Sequence, residues 1–138
     1  METEFLLGLR KGDRKHKLSM AILDIARSKA KQVGICGSAF VEIGVGLRGS
    51  LSRAAIVETL HNLYALTSKI KEVPLNRTIL LNGLEIEKSL EVSNLFDCLH
   101  SATALSQDSV IVSDDCFYDV VPNLKRLSFK DFVESNKR

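Results

Sequence analysis

The stretch from Ser93 to Tyr118, SNLFDCLHSATALSQDSVIVSDDCFY, decides the reading of the fold. Ser93 and Asn94 are residue types that cap helix N-termini, and Leu95, Leu99 and Ala102 follow at the four-then-three spacing of one helical face. Asp97 falls off that face, in the first turn. After a short turn at residues 106–109 comes Val110-Ile111-Val112, β-branched on both sides of the pleat, which predicts a strand buried on two faces in a parallel sheet. The strand ends on Ser113-Asp114-Asp115. In open α/β sheets the ligand crevice lies beyond the carboxyl ends of the strands, so an Asp pair there is the first place to look for chemistry.

Working outward, 138 residues make one domain, expected over 1–138, with room for a core that needs no disulfide or metal staple. A formal net charge of +2 permits a nucleic-acid partner without demanding one. Cys36, Cys98 and Cys116 form an odd set with no CxxC pairing, which argues against a disulfide framework or a structural zinc site and for a reducing cytosol. The three histidines have no metal-ligand spacing. No apolar run approaches the roughly 18 to 20 residues of a membrane span, and Glu2 and Glu4 come before the first apolar cluster, unlike a signal peptide. The expectation is a soluble, cytoplasmic protein with no membrane partner.

In chain order, Phe5, Leu6 and Leu9 predict a short first helix. Arg10 to Lys17 then carries five Lys and Arg side chains against one Asp, which is either a solvated face or a set of phosphate contacts. Leu18, Ala21, Ile22, Ile25 and Ala26 keep a helical stripe from Leu18 to Lys31. Val33 to Cys36 reads as a short buried strand, with Ser38 as cap of the next helix. A second strand is expected at Glu72 to Leu75, a helix capped by Asn76 to about Leu90, an edge strand at Leu124 to Leu127, and a closing helix at Phe129 to Glu134. Strands alternating with helices point to a three-layer α/β/α sandwich around a central parallel sheet.

Glu42 is the only charged residue between Lys31 and Arg48, amid Phe40, Val41, Ile43 and Val45. It is either an early-turn acid favoured by the helix dipole or a functional carboxylate. The same segment holds Gly44-Val45-Gly46-Leu47-Arg48-Gly49, a GxGxxG that would open a dinucleotide-binding βαβ unit. Against that, the strand after it leads into Asn76 where an acid should hold the ribose, and Glu42 would lie inside the supposed first strand.

Connected βα units gather Glu42, Asp97 and Asp115 toward one edge of the sheet. Crowded carboxylates raise each other's pKa unless a cation relieves them, and an all-oxygen set suits magnesium or manganese. The implied chemistry is metal-assisted phosphodiester hydrolysis. Singly, each acid has a plainer explanation: Asp97 closing a capping box with Asn94, Asp114 or Asp115 capping the next turn.

Val41-Glu42-Ile43-Gly44-Val45-Gly46, Asn94 to Leu105, Val110 to Asp115 and Val121-Pro122-Asn123-Leu124-Lys125-Arg126-Leu127 together resemble the successive signatures of PIN-domain nucleases, most of all the VapC-like toxins of toxin–antitoxin pairs. The resemblance covers nearly the whole chain. It implies a magnesium- or manganese-dependent endoribonuclease with Glu42, Asp97 and Asp115 as catalytic and metal-site acids. Ser113 would be a supporting hydroxyl, and Thr3 and Asp114 further supports. It also implies RNA as substrate, met by Arg10, Lys11, Arg14 and Lys15, and an antitoxin protein as partner; the oligomeric state stays open, a homodimer included. The alternative is a PIN-like module that binds without catalysis, with the dinucleotide reading a distant third. The family's first strand, ending in Asp-Thr or Asp-Ser, would precede Met1, with Glu2 at the Asp position as a further metal acid; Phe117 stands where a second acid often follows Asp115. A gap in mid-sheet would leave buried backbone groups unpaired at about 1 to 3 kcal/mol each. The expectation is therefore that upstream residues or a partner supply that strand, and that Glu2 hangs on a frayed terminus.

Overall fold

The computed structural model describes residues 1–28 and 33–136. Seven helices and four three-residue strands alternate along them: α1 (Thr3–Gly8), α2 (His16–Ser28), β1 (Gly34–Cys36), α3 (Gly37–Gly46), α4 (Arg53–Thr67), β2 (Lys71–Val73), α5 (Arg77–Leu90), α6 (Leu95–Leu105), β3 (Val110–Val112), β4 (Lys125–Leu127) and α7 (Phe129–Ser135). The expected end of the second helix at Lys31 lies outside the described residues. No described helix is long and apolar enough to cross a membrane.

Local chemistry sets most boundaries. Ser52 accepts from the Ala55 N–H to start α4, Asn76 from Ile79 to start α5, and Ser128 from Asp131 to start α7. Ser38 does not play that part. Helix α3 begins directly from β1 with Cys36 as its N-cap and no side-chain cap bond, and the Ser38 hydroxyl is buried without a hydrogen-bond partner. Because α3 starts that early, Glu42 is its sixth residue and not an early-turn acid, so the helix dipole does not account for it. The GxGxxG run lies across the C-terminal end of α3 and a 3-10 turn at Leu47–Gly49. A dinucleotide site needs those glycines between a strand and a helix N-terminus, so that reading falls.

The strands are parallel, as expected, but they form two separate pairs. Gly34–Cys36 runs beside Lys71–Val73, and Val110–Val112 beside Lys125–Leu127. The single central sheet of the expected sandwich is thus split, because among the described residues no strand joins β1 to β3. In its place is a cavity of about 110 Å³, walled by Gly34, Ile35 and Cys36 on one side and Val110 and Val112 on the other. Met1 closes part of it: its backbone nitrogen donates to Gly34 O at 2.9 Å and its carbonyl accepts from Cys36 N at 2.9 Å. The start of the chain is therefore pinned to β1, not frayed, and it carries Glu2 into the interior, where 4% of the residue stays exposed.

Helix α6 joins the halves. It packs on β1, β3, α3 and α5, and every residue from Cys98 to Ala104 is buried. The main core lies beneath α1, α2 and α3, with Phe5, Leu6, Ile22, Leu23, Ile35, Ala39, Phe129 and Val133 in one cluster. The approach of α5 to α6 depends on Gly83: a Cβ there would sit 2.7 Å from Leu99 Cδ2 and 3.2 Å from Leu99 Cα. Part of that clash is with backbone, so a side-chain rotation cannot relieve it. Gly83→Ala should lower stability by about 1 to 3 kcal/mol in urea unfolding despite alanine's better helix propensity; an unchanged or raised midpoint would show that the two helices are not in such close contact.

Candidate active site

Three acids are arranged in sequence along one side of α6. Glu42 projects from the middle of α3 and is half-buried, Asp97 from the first turn of α6 and also half-buried, and Asp115 from the segment after β3, exposed. Burial, and after it the charge of Asp115, raises the Asp97 pKa, while bonds from Tyr118 and Asn94 hold it down. Burial likewise raises Glu42, opposed by a Thr3 bond and reinforced by the charge of Asp97. The coupling thus runs stepwise from Asp115 to Asp97 to Glu42.

Each acid is held by its neighbours. The Thr3 hydroxyl donates to Glu42 Oε2. The Tyr118 hydroxyl donates to Asp97 Oδ1 at 3.2 Å, and Asn94 Nδ2 approaches Asp97 Oδ2 at 3.4 Å, a side-chain contact where a capping box would use backbone. Asp115 accepts from the Phe117 N–H at 2.8 Å and so caps the 3-10 turn over Cys116–Val120, while its own N–H donates to Ser113 Oγ at 3.0 Å. Ser113 is fully buried and lies against Glu2.

Glu2 is the unusual member. Its Oε2 accepts from the Glu4 N–H as the N-cap of α1, but Oε1 is buried with no hydrogen-bond partner. Burial pushes its pKa up to about 7, against the Glu4 N–H and Ser113, which favour the ionised form.

Asp114 and Lys15 are engaged elsewhere. Asp114 accepts from the Phe129 N–H at 2.9 Å and pairs with Lys15 at 3.1 Å; although burial pushes its carboxyl up, these contacts hold it below the usual range. Lys15 also pairs with Glu4 and lies 5.3 Å over the Phe129 ring, so it ties α1 and α2 to the start of α7. Arg10, Lys11 and Arg14 are exposed, and among the described residues none of them forms an ion pair.

Two residues that the sequence reading passed over touch the acids. Tyr118 bridges to Asp97, and His100 is fully buried between Tyr118 and Glu42, with Nδ1 3.2 Å from the Tyr118 oxygen and Nε2 3.6 Å from Glu42 Oε2. Burial lowers the His100 pKa to about 3, so the ring is neutral and its contact with Glu42 is not an ion pair. One signal was available: His100 lies three residues after Asp97 on a helix, a spacing that puts both on one side.

For a divalent cation, the chemistry of the donors fits: hard carboxylate oxygens on Glu42 and Asp97 that disfavour each other's charge. The arrangement is not a closed cage, since among the described residues no three Asp, Glu, His or Cys side chains come close enough to hold one ion directly. It suits a hydrated ion that takes one or two carboxylates and keeps several waters, the habit of magnesium.

The PIN domain profile matches residues 2–121. Among curated proteins none matches in sequence. The crystal structure of VapBC2 from Rickettsia felis bound to a DNA fragment from their promoter is similar with a TM-score of 0.65 at 17% identity, covering 91% of this chain and 94% of that one. The structure of VapBC-1 from nontypeable Haemophilus influenzae is similar with a TM-score of 0.55 at 16% identity, covering 78% and 86%. At those identities the likeness is one of fold.

Glu2 gives a pH prediction with a definite sign. Its folded pKa of about 7 lies above the ordinary 4.5, so between those values the folded state binds more protons than the unfolded, and stability falls as pH rises. The loss is complete above about pH 7 and amounts to about 3 kcal/mol at most, at roughly 1.4 kcal/mol per pKa unit. Glu2→Gln should therefore melt higher than the wild type at pH 8 and vary less between pH 5 and 8; equal pH profiles would contradict the buried, unpaired carboxyl.

Proposed function

Because the chain belongs to the PIN-domain family, we infer that it is a metal-dependent endoribonuclease, the toxin of a toxin–antitoxin pair. The observation that supports this most is the stepwise coupling of Asp115, Asp97 and Glu42, which a cation would relieve and which nothing else among the described residues neutralises. Glu42 and Asp97 would hold magnesium or manganese, with Asp115 at the rim and Glu2 behind them. The ion would lower the pKa of an attacking water and stabilise the charge that develops on the phosphoryl oxygens. The chain's own residues prepare the site. Thr3 fixes Glu42, Tyr118 fixes Asp97, and Ser113 fixes the backbone that carries Asp115. Arg10, Lys11 and Arg14 are free to meet phosphates, whereas Lys15 keeps α1, α2 and α7 together.

An antitoxin partner is proposed on two grounds: both similar structures are VapBC complexes, and a groove of about 500 Å³ between α1, α3 and α4, lined by Leu6, Leu9, Ile43, Leu47, Leu63 and Leu66, is open on this surface. A module that binds RNA without cleaving it is the second reading, favoured by the lack of three converging ligands among the described residues.

The test is manganese titration and cleavage of single-stranded RNA with and without EDTA. The nuclease reading expects EDTA-sensitive cleavage, lost in Asp97→Asn along with most of the manganese affinity while the melting temperature holds or rises, since one of several repelling charges is gone. RNA binding without cleavage would establish the second reading, and an Asp97→Asn protein with unaltered manganese affinity would remove Asp97 from the site. In the same assay, neutralising Arg10, Lys11 and Arg14 together should flatten the dependence of RNA affinity on salt, by about 0.7 of a unit of slope for each phosphate that is no longer neutralised on a single strand. Lys15→Met should instead show itself mainly as reduced stability.

A further inference from the structure

Tyr118 and His100 form a bridge between two of the acids, and its hydrogen-bond arithmetic is constrained. Both side chains are completely buried. The Tyr118 oxygen lies 3.2 Å from Asp97 Oδ1 and 3.2 Å from His100 Nδ1. It has one proton and can give it to only one of them. A neutral imidazole likewise has one N–H, on Nδ1 or on Nε2. A carboxylate is the stronger acceptor, so Tyr118 donates to Asp97 and its oxygen accepts from His100 Nδ1–H. That choice leaves Nε2 without hydrogen. Nε2 is buried with no hydrogen-bond partner, 3.6 Å from Glu42 Oε2.

We propose that Tyr118 and His100 are positioning residues that couple Asp97 to Glu42 through this single hydroxyl proton. While Asp97 accepts it, the His100 nitrogen facing Glu42 presents a lone pair, and Glu42 Oε2 is held by Thr3 alone. Where residue 97 offers no carboxylate, as in Asp97→Ala, Tyr118 turns to His100 Nδ1, the ring takes the other tautomer, and an N–H faces Glu42. The Asp97 carboxylate thereby sets which form of the ring Glu42 meets, with no change in backbone. The proposal rests on the nuclease reading for its purpose, but the coupling itself exists in the metal-free chain.

The experiment is nitrogen-15 NMR of the full, metal-free protein with labelled histidine at pH 7, where the ring shifts identify which nitrogen of His100 carries hydrogen. The wild type should show Nδ1–H, and Asp97→Ala and Tyr118→Phe should both show Nε2–H. The same tautomer in all three, or Nε2–H already in the wild type, would overturn the coupling. Manganese affinity is the second measurement: Tyr118→Phe should weaken it about 10- to 100-fold, the usual cost of losing a group that orients a ligand. A tautomer that switches in a protein with no manganese affinity would leave the coupling standing and discard the nuclease reading; a wild type that binds manganese but whose variants keep its tautomer would do the reverse.

Discussion

The structure depends on the burial of α6. A helix in contact with β1, β3, α3 and α5 has almost no solvent face, and the seven residues from Cys98 to Ala104 are buried without exception. That burial replaces what a continuous sheet would provide. Among the described residues the two strand pairs do not hydrogen-bond to each other, so the helix lying across both holds them in one body. It also dictates small side chains: Ser101, Ala102, Thr103 and Ala104 let the strands approach, and the Ser101 and Thr103 hydroxyls return to the carbonyls of Asp97 and Leu99 so that neither is buried unpaired.

The same helix explains why the acids lie where they do. Only its two ends reach the surface, so Asp97, in the first turn, stands at the edge of the core, and His100, one turn further in, is committed to the interior. Burial alone then accounts for the largest part of every shift at the site: up for Glu2, Glu42 and Asp97, down for His100. The cost is a set of groups poorly satisfied without a further ligand, namely Glu2 Oε1 and His100 Nε2. Unsatisfied buried polar atoms are expensive.

Much of this was legible in the residues. The cap at Asn76, the apolar spacing of α6 and the β-branched run of β3 are local signals, and local signals place elements well. Asp97 and Asp115 stand at element ends, as their places in the sequence suggested. What could not be read were relations across the chain. Lys15 looked like part of a basic face, yet it pairs with Glu4 and with Asp114, 99 residues away in sequence. Tyr118 carried no signal of its own, yet its hydroxyl reaches Asp97. The pinning of Met1 to Gly34 and Cys36, which carries Glu2 inside, left no trace in periodicity because backbone atoms make both bonds. The split sheet is of the same kind: strand pairing is non-local, and three-residue strands carry little pattern of their own.

The central claim is that Glu42 and Asp97 share one divalent cation, and the most direct test is anomalous diffraction from crystals soaked in manganese. The account predicts one peak beside both carboxylates, with waters completing its coordination. A peak elsewhere on the molecule, or none beside Asp97 at saturating manganese, would contradict it.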